Sequence, residues 1–314
     1  MKRREFLRNS LLGTAGLTAL GSLANAAVAA PLAKGPVKLT ILHTNDMHSR
    51  IEPFPDNGGQ WAGLGGMARR AALIKEIRSR EANVLLLDSG DIFQGTPYFN
   101  FFGGELEYKL MSQMQYDAST LGNHDFDNGL EGLQRQLPHA TFPFVIANYD
   151  FSKTPLAGRF APYKVFEKQG IRIGVFGLGI ELAGLVADKN FGQTVYLDPV
   201  AKAKEVAAQL RGAEKCDLVI CLSHLGYKFD GAPNKIHDRQ LAAEVSGIDL
   251  ILGGHTHTFM DAPESITSPD GHATLINQVG WSGINLGRLD YEFLVKNKRA
   301  GLASAAVVPV RGAC

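Results

Sequence analysis

NVLLLDSGD, residues 83–91, runs from a short apolar segment directly into acidic residues. Val84 to Leu87 form a continuous apolar run, which is typical of a strand buried on both faces. Asp88, Gly90 and Asp91 follow at once, so they would lie at the carboxyl end of that strand. In α/β proteins, ligands bind at this edge of the sheet. The stretch therefore predicts a buried sheet and a functional site at its edge.

Four other segments repeat this plan of an apolar run followed by polar residues. They are VKLTILHTNDMH (37–48), YDASTLGNHDFD (116–127), CDLVICLSHLGY (216–227) and GIDLILGGHTHTF (247–259). Helix-like patterns lie between the runs, at about residues 65–82, 104–116, 129–137, 198–214 and 237–246. Strands that alternate with helices in this way predict a layered α/β fold.

Two further segments depart from this alternation. YKVFEKQGIRIGVFGLG (163–179) predicts a hairpin with Gly170 near its turn. ATLINQVGWSGINLGRLDYEFLV (273–295) predicts two strands joined by residues 281–283. The expected product is a mixed-sheet sandwich flanked by helices. No internal repeat or Pro-rich linker marks a second domain, so residues 37–295 are expected to form one domain, followed by a C-terminal tail at 296–314.

The first 29 residues have the features of an export signal. MKRREFLRNS carries the paired Arg3 and Arg4, and an apolar stretch rich in Gly and Ala follows. The stretch ends in small residues that fit cleavage after Ala26 or after Ala29. The twin arginines predict export by the twin-arginine pathway to the periplasm or beyond, with no membrane span after cleavage.

Composition limits the partners and the chemistry. The chain has 314 residues, 45% of them hydrophobic, and a formal net charge of +1 with no basic run outside its N-terminus. Nucleic-acid binding is therefore not expected, because proteins of that class usually carry a basic patch. Cys216 and Cys221 lie five residues apart in a predicted strand, and this odd offset predicts that they face opposite ways and form no disulfide.

The polar residues past the five apolar runs form one chemical set. They are Asp46, His48, Asp91, Asn123, His124, His224, His255 and His257. Five of the nine histidines of the chain are among them, which is far more than a random distribution would place there. Each motif alone could be an ordinary turn, but together they predict a metal site. Carboxylate, amide and imidazole ligands without thiolates favour Zn, Mn, Fe or Co over a structural zinc cage.

The order of these motifs is similar to that of a known family. D-x-H, G-D, G-N-H-[DE], a lone H and G-H-x-H resemble the calcineurin-like metallophosphoesterases. The longer strings ILHTNDMHSRIEP, GDIFQGTP, GNHDFDNG, IANYD and GGHTHT resemble its 5′-nucleotidase branch, which includes UDP-sugar hydrolases and 2′,3′-cyclic phosphodiesterases. The resemblance implies a four-layer α-β-β-α sandwich with two metal ions. It also implies hydrolysis of a small phosphate ester, in the first place a nucleotide, by a metal-activated hydroxide that attacks phosphorus.

The resemblance also assigns roles to individual residues. Its first metal would be bound by Asp46, His48, Asp91 and His257, and its second by Asp91, Asn123, His224 and His255. Asp91 would thus bridge the two ions. His124 would stabilise the transition state or the leaving oxygen, and Asp127 would orient and charge its imidazole. Asp125 and Asn45 are expected to support the surrounding loops, and His43 to be a core or supporting residue.

The resemblance leaves the substrate open. Two-domain nucleotidases of this branch carry a further C-terminal domain that binds the nucleoside, and the present chain ends at Cys314. It could be a stand-alone phosphatase or phosphodiesterase, or the catalytic half of a split nucleotidase with a separate recognition chain. A thiosulfohydrolase and a non-catalytic metal-binding subunit are further alternatives. A partner would need an exposed apolar patch, for which FQGTPYFNFFGG (93–104) is the candidate.

Overall fold

The computed structural model describes residues 35–231, 235–294 and 300–312, and two mixed β-sheets form their centre. The first sheet has the order β13-β12-β1-β2-β3 and consists of β1 (Val37–Thr44), β2 (Val84–Asp88), β3 (Ala118–Ser119), β12 (Asn285–Phe293) and β13 (Ala300–Pro309). The second has the order β10-β11-β9-β8-β6-β5 and consists of β5 (Tyr163–Lys168), β6 (Ile171–Leu178), β8 (Leu218–Ser223), β9 (Leu250–Gly253), β10 (Glu264–Thr267) and β11 (Ala273–Asn277). Two short strands, β4 (Tyr149–Asp150) and β7 (Val195–Tyr196), pair with each other.

The helices include all five that the sequence predicts. In the described ranges they are α1 (Met67–Arg80), α2 (Pro97–Phe102), α3 (Glu105–Gln113), α4 (Gly129–Gln136), α5 (Asp188–Phe191), α6 (Pro199–Gly212) and α7 (Asp238–Glu244). The short helices α2 and α5 were not predicted. The predicted hairpin at residues 163–179 is confirmed, because β5 and β6 pair antiparallel.

Side chains that alternate along the strands divide the interior into three apolar layers. Ile41 and Ile220 lie in the layer between the two sheets. Leu42, the neighbour of Ile41, points the other way into the cluster that α1 and α3 cover. Val219, the neighbour of Ile220, belongs to the cluster that α6 and α7 cover. The order is therefore helix, sheet, sheet, helix, and the predicted four-layer sandwich is confirmed.

The parallel strands place the site. β1, β2 and β3 run parallel in the first sheet, as do β6, β8 and β9 in the second. Because parallel strands end at the same edge, the residues that follow β1, β2, β3, β8 and β9 can meet at one edge of the sandwich.

The C-terminal part of the fold extends beyond the prediction. Both strands predicted within residues 273–295 exist, but β11 belongs to the second sheet and β12 to the first, so residues 281–283 cross between the sheets. The segment predicted as a tail supplies β13, which pairs antiparallel with β12 as the edge strand. The sequence AGLASAAVVP has few large apolar residues, and it is a strand because β12 offers it a free edge.

The prediction that the two cysteines face opposite ways is wrong. β8 begins at Leu218, so Cys216 lies before the strand, where side chains need not alternate. Cys216 and Cys221 both pack into the cluster beneath α6, and both are buried and free. The predicted export signal, residues 1–29, and Cys314 lie outside the described residues. Within the described ranges, no helix has the length and apolar character needed to cross a membrane.

His43 is a buried histidine in β1. Of the two roles expected for it, core residue and supporting residue, the structure shows the core residue. Its side chain lies directly against Gly287 of β12, and neither ring nitrogen has a hydrogen-bond partner. Burial lowers the pKa of His43 to about 3 from the ordinary 6.5. The folded protein thus holds a neutral imidazole that the unfolded chain protonates more readily.

We expect His43→Leu to make the protein less sensitive to acid. Below pH 6.5 His43 becomes protonated in the unfolded chain, whereas in the folded protein it stays neutral until about pH 3. Stability is therefore lost as pH falls through this window, by up to about 1.4 kcal/mol per pH unit for one proton. Urea midpoints between pH 7 and 4 should fall less steeply in the variant. His272→Leu, at an exposed histidine, is the control, and equal slopes for His43→Leu and wild type would contradict the assignment.

Candidate metal centre

The strand ends bring all seven predicted metal ligands to one edge of the sandwich. Asp46 and His48 follow β1, Asp91 follows β2, and Asn123 lies in the loop after β3. His224 follows β8, while His255 and His257 follow β9 in the second sheet. Two groups of their side chains have ligand atoms within 4.8 Å of one another, namely Asp46, His48 and His257, and Asp91, His224 and His255.

The first group brings two imidazoles and a carboxylate together. His48 Nε2 lies 2.9 Å from His257 Nε2, and His257 Nε2 lies 3.3 Å from Asp46 Oδ1. The other ring nitrogen of His48, Nδ1, faces the carbonyl oxygen of Gln94 at 3.1 Å and donates to it. In the neutral ring, Nε2 then carries the lone pair and is directed at the group, as in metal-binding histidines.

The second group is buried more deeply and has the same design. His224 Nδ1 donates to the Ser89 carbonyl at 2.7 Å, which directs Nε2 towards Asp91 Oδ2 at 3.1 Å. This Nε2 is buried and makes no hydrogen bond of good geometry. His255 Nδ1 lies 2.9 Å from Asn123 Oδ1, so the Asn123 amide adjoins this group.

The carboxylates of Asp91 and Asp46 lie where the two groups adjoin, and Asp46 Oδ1 is 4.0 Å from His224 Nε2 of the second group. Asp91 Oδ2 is 3.1 Å from His224 Nε2 and 3.9 Å from His48 Nε2, so it reaches both groups, as a bridging ligand must. Burial alone would lower the pKa of His224, but the Asp91 carboxylate raises it to about 10. The carboxylates thus strongly favour positive charge at this position. A donor set of carboxylate, imidazole and amide around that position fits divalent metal ions.

The backbone of the site is held in conformations that side chains rarely adopt. Asp46, His48, Asp91, His255 and His257 all have φ between 48° and 69°. Such left-handed residues cost about 1 kcal/mol or more each, and they cluster at functional sites. Backbone hydrogen bonds from Asp46 N to Gly90 O (2.9 Å) and from His48 N to Asp91 O (3.0 Å) help to hold them.

Glycines allow the loops to approach so closely. A Cβ atom on Gly122 would lie 2.2 Å from Asp91 Oδ1, and one on Gly254 would lie 2.8 Å from His224 Nδ1. These positions therefore exclude any side chain. Gly254, the second glycine of GGHTH, thus lets the loop after β9 approach His224 closely.

His124 and Asp127 form a hydrogen-bonded pair beside the two groups. His124 Nδ1 lies 2.8 Å from Asp127 Oδ2, so the contact predicted between them is present. This bond, together with the Asp91 charge, raises the pKa of His124 above its ordinary value despite partial burial. His124 N also donates to Asp91 Oδ1 at 2.8 Å, which ties the pair to the second group.

The mouth of the site is a cavity of about 240 Å³. It is lined by His48, Arg50, Gln94, Gly95, His124, His257, Trp281 and Ser282. A larger cavity of about 720 Å³ lies between α1 and α3, but no residue of the two groups lines it. The small cavity is therefore the one that opens onto the first ligand group. A molecule bound in it would contact Arg50 and Trp281.

Residues 39–259 match the family model of the calcineurin-like phosphoesterases. The chain belongs to this family. It is 35% identical to the 5′-nucleotidase of Vibrio cholerae over 98% of its own length and 58% of that protein, and 35% identical to the snake venom 5′-nucleotidase of Crotalus adamanteus over 83% of its length and 46% of that protein. A 5′-nucleotidase precursor from Thermus thermophilus superposes with a TM-score of 0.76 at 34% identity, over 87% of this chain and 54% of that one. The phosphoesterase chain thus spans about half the length of the curated relatives it matches.

Asp125 supports the loops of this phosphoesterase, as expected. Its carboxylate accepts hydrogen bonds from Gly122 N at 2.8 Å, from Asp91 N and Ile92 N at 3.1 Å, and from Phe93 N at 3.3 Å. It is fully buried and joins the loop after β2 to the loop after β3. Asn45 has a similar role, because its amide donates to Gly280 O and accepts from Val279 N.

Asp125→Asn should destabilise the phosphoesterase and lower its activity together. The amide replaces one acceptor oxygen by a donor that faces backbone N–H groups, and unpaired buried donors cost about 1–3 kcal/mol. We expect a lower melting temperature and a lower metal content per chain. Asp150→Asn, which changes a carboxylate at the end of β4 that accepts a single backbone hydrogen bond from Ser152 N, is the control. Unchanged melting and activity in Asp125→Asn would contradict this role.

Of the residues that line the mouth, sequence reasoning predicted only the three histidines as site residues, and it only partly placed the aromatic patch. Arg50 and Trp281 were not singled out as site residues, although Arg50 stands two positions after His48. In the predicted patch, Phe93 and Phe99 are buried core residues. Of the remaining aromatics, Phe101 is 82% and Phe102 49% exposed, and both belong to the unpredicted helix α2.

Proposed function

We propose that the chain is a dimetal phosphoesterase of 5′-nucleotidase type that hydrolyses small phosphate esters, in the first place nucleotides. The observation that carries this proposal is the pair of ligand groups, with Asp91 of the second group 3.9 Å from His48 of the first and the His124–Asp127 pair beside them. Family membership supports ester hydrolysis, and the relatives named 5′-nucleotidase support a nucleotide substrate.

The proposed ligands are those that the family resemblance assigns. Asp46, His48, Asp91 and His257 would hold one ion, and Asp91, Asn123, His224 and His255 the other, as Mn, Zn, Fe or Co. When bound, two such ions activate water and neutralise charge on phosphoryl oxygens. The short contacts within each group and their partly buried setting support this assignment.

The proposed catalytic acid is His124. Asp127 accepts from its Nδ1 at 2.8 Å, which fixes the ring and leaves Nε2 for the mouth cavity that His124 lines. As the bond between phosphorus and the ester oxygen breaks, His124 would donate its proton to the departing oxygen. The hydrogen bond to Asp127 raises the pKa of His124, which favours the protonated ring that this step needs.

The decisive experiment is phosphate release from AMP by the purified chain with Mn²⁺, beside p-nitrophenyl phosphate and bis-p-nitrophenyl phosphate. Metal-dependent turnover of AMP at about 10⁴ M⁻¹s⁻¹ or better would support a nucleotidase that recognises its substrate unaided. Turnover of the synthetic esters alone would support an esterase for another substrate. Bound metal without any turnover would overturn the proposal in favour of a metal-binding subunit.

A second candidate is the catalytic half of a split nucleotidase with a separate recognition chain. It is favoured only by the exposed Phe101 and Phe102 of α2, an apolar pair that a partner could cover. Replacing both by serine should then leave turnover of p-nitrophenyl phosphate intact and abolish partner-dependent turnover of AMP. A nucleotidase that needs no partner would show no such difference.

We also propose that residues 1–29 direct export by the twin-arginine pathway, so that the phosphoesterase acts in the periplasm or outside the cell. The paired Arg3 and Arg4 support this proposal. Changing both to lysine should retain the precursor in the cytoplasm, as cell fractionation would show. N-terminal sequencing of the exported protein would decide between cleavage after Ala26 and after Ala29.

A further inference from the structure

Arg50 is placed at the mouth of the site. Of the eight residues that line the mouth cavity, all within the described ranges, Arg50 is the only lysine or arginine. It shares the cavity with His124 and with the ligand candidates His48 and His257. A fixed cation therefore adjoins the position where a phosphoryl group would react.

Among the described residues, the guanidinium group of Arg50 has no carboxylate partner. Its central carbon lies 4.1 Å from the centre of the Phe54 ring, a cation–π contact. Its Nε is buried and has no hydrogen-bond partner, and no carboxylate of the described residues forms an ion pair with it. The side chain is thus held by a ring while its buried Nε–H lacks an acceptor, which is costly for a buried donor.

A stack of rings connects Arg50 to the metal ligands. The Phe54 ring meets Trp281 edge to face at 5.9 Å, and Trp281 stacks on His257 at 5.7 Å with 6° between the planes. Ser282 N donates to the Asp46 carbonyl at 2.7 Å, so the Trp281 loop is fixed to a ligand loop. Arg50 is therefore positioned by the site itself.

Simple packing does not explain this placement. The ligand candidates include only two carboxylates, so two divalent ions would leave the site positively charged. A guanidinium beside them is repelled unless an anion lies between. Arginine binds phosphate oxygens through paired N–H donors. We propose that Arg50 binds an oxygen of a substrate phosphate at the mouth, with Phe54 and Trp281 as its rigid support; this inference rests on the proposed function.

The phosphate that Arg50 contacts could be the one transferred or the one next to it. In the first case Arg50 serves monophosphates and diphosphates alike. In the second it selects esters with two linked phosphates, such as nucleoside diphosphates. The cavity of about 240 Å³ is below the range of about 300–1,000 Å³ for drug-sized ligands, so it would hold phosphates and leave the base outside.

The kinetic test compares Arg50→Met with wild type on AMP and ADP. We expect KM to rise about 10- to 100-fold, the loss of one charged hydrogen-bonded contact, with a smaller change in kcat. Arg50→Lys keeps the charge but loses the paired donors, so its KM should lie between the two. Arg80→Met, which removes a charge from the exposed end of α1, is the control. A larger rise for ADP would identify the adjoining phosphate, and equal rises the transferred one.

A binding test needs no turnover. The chain has two tryptophans, Trp61 and Trp281, so in Trp61→Phe the emission reports on Trp281 at the mouth alone. Titration with inorganic phosphate should change this emission, and Arg50→Met should weaken phosphate binding about 10-fold or more. Unchanged KM and unchanged phosphate affinity in Arg50→Met would overturn the inference while the proposed function stands. Absence of turnover in wild type would overturn the proposed function, and phosphate titration would still test Arg50.

Discussion

Asp91→Asn is expected to reduce phosphate release by about 10³-fold or more and to lower the metal content of the purified protein. The Asp91 carboxylate lies 3.1 Å from His224 Nε2 and 3.9 Å from His48 Nε2, so it serves both ligand groups. Asparagine has nearly the same shape but removes the negative charge that a pair of divalent ions would share. Bound metal supplies several kcal/mol of stabilisation to such a transition state, and each step of about 1.4 kcal/mol is tenfold in rate.

The metal content of Asp91→Asn, measured by elemental analysis, distinguishes a lost ion from a misplaced one. Asp117→Asn is a matched control, because Asp117 is a partly buried carboxylate just before β3, where it accepts a hydrogen bond from Leu86 N. That variant should keep both metal content and turnover. Wild-type metal content and rate in Asp91→Asn would show that Asp91 is not a shared ligand.

His124→Ala is expected to lower kcat by about 10²–10⁴-fold without loss of metal, the usual range for a general acid or base. His124 lines the mouth and belongs to neither ligand group, so its removal should leave the ions in place. The loss should be smaller for p-nitrophenyl phosphate than for AMP. A nitrophenolate departs readily without a proton, whereas the ribose oxygen of AMP needs one.

Asp127→Asn tests whether His124 acts through its partner. It keeps a hydrogen-bond acceptor 2.8 Å from Nδ1 but removes the charge that helps to keep the imidazole protonated. We expect a smaller loss than for His124→Ala, together with a shift of the alkaline limb of the pH–rate profile to lower pH, because the pKa of His124 falls. His139→Ala, at a histidine outside the site, is the control. Equal losses for AMP and p-nitrophenyl phosphate in His124→Ala would argue against proton donation.

The meeting of the seven proposed ligands at one edge could be predicted because each of their motifs is local. Asp91 lies four residues after the end of the apolar run Val84–Leu87, and the end of a buried strand is visible in a few consecutive residues. Parallel strands then bring these ends together without any further information. The contact between His124 and Asp127 is equally local, because the residues stand three apart in one turn.

What could not be predicted depends on contacts between distant segments. β3 consists only of Ala118 and Ser119, because only these two residues pair with β2, at Leu87 and Asp88. The aromatic run 93–102 has no helical period, so the sequence does not show that Phe93 and Phe99 are buried in the core while Phe101 and Phe102 are exposed. Arg50 and Trp281 are far apart in the sequence. They come together at the mouth because both contact the Phe54 ring and because the segment between β11 and β12 carries Trp281 there.

The pairing of β1 with β12 has a consequence for how the protein is made. β1 lies at the centre of the first sheet between β2 and β12, with Val37 opposite Phe293. A ribosome therefore releases the first strand long before the segment that must cover its open side. Until then β1 offers an unpaired edge on which another nascent chain could add a strand, and such late closure between chain ends slows folding. Chains that stop before Asn285 should be captured by chaperones or aggregate, however complete their metal ligands are.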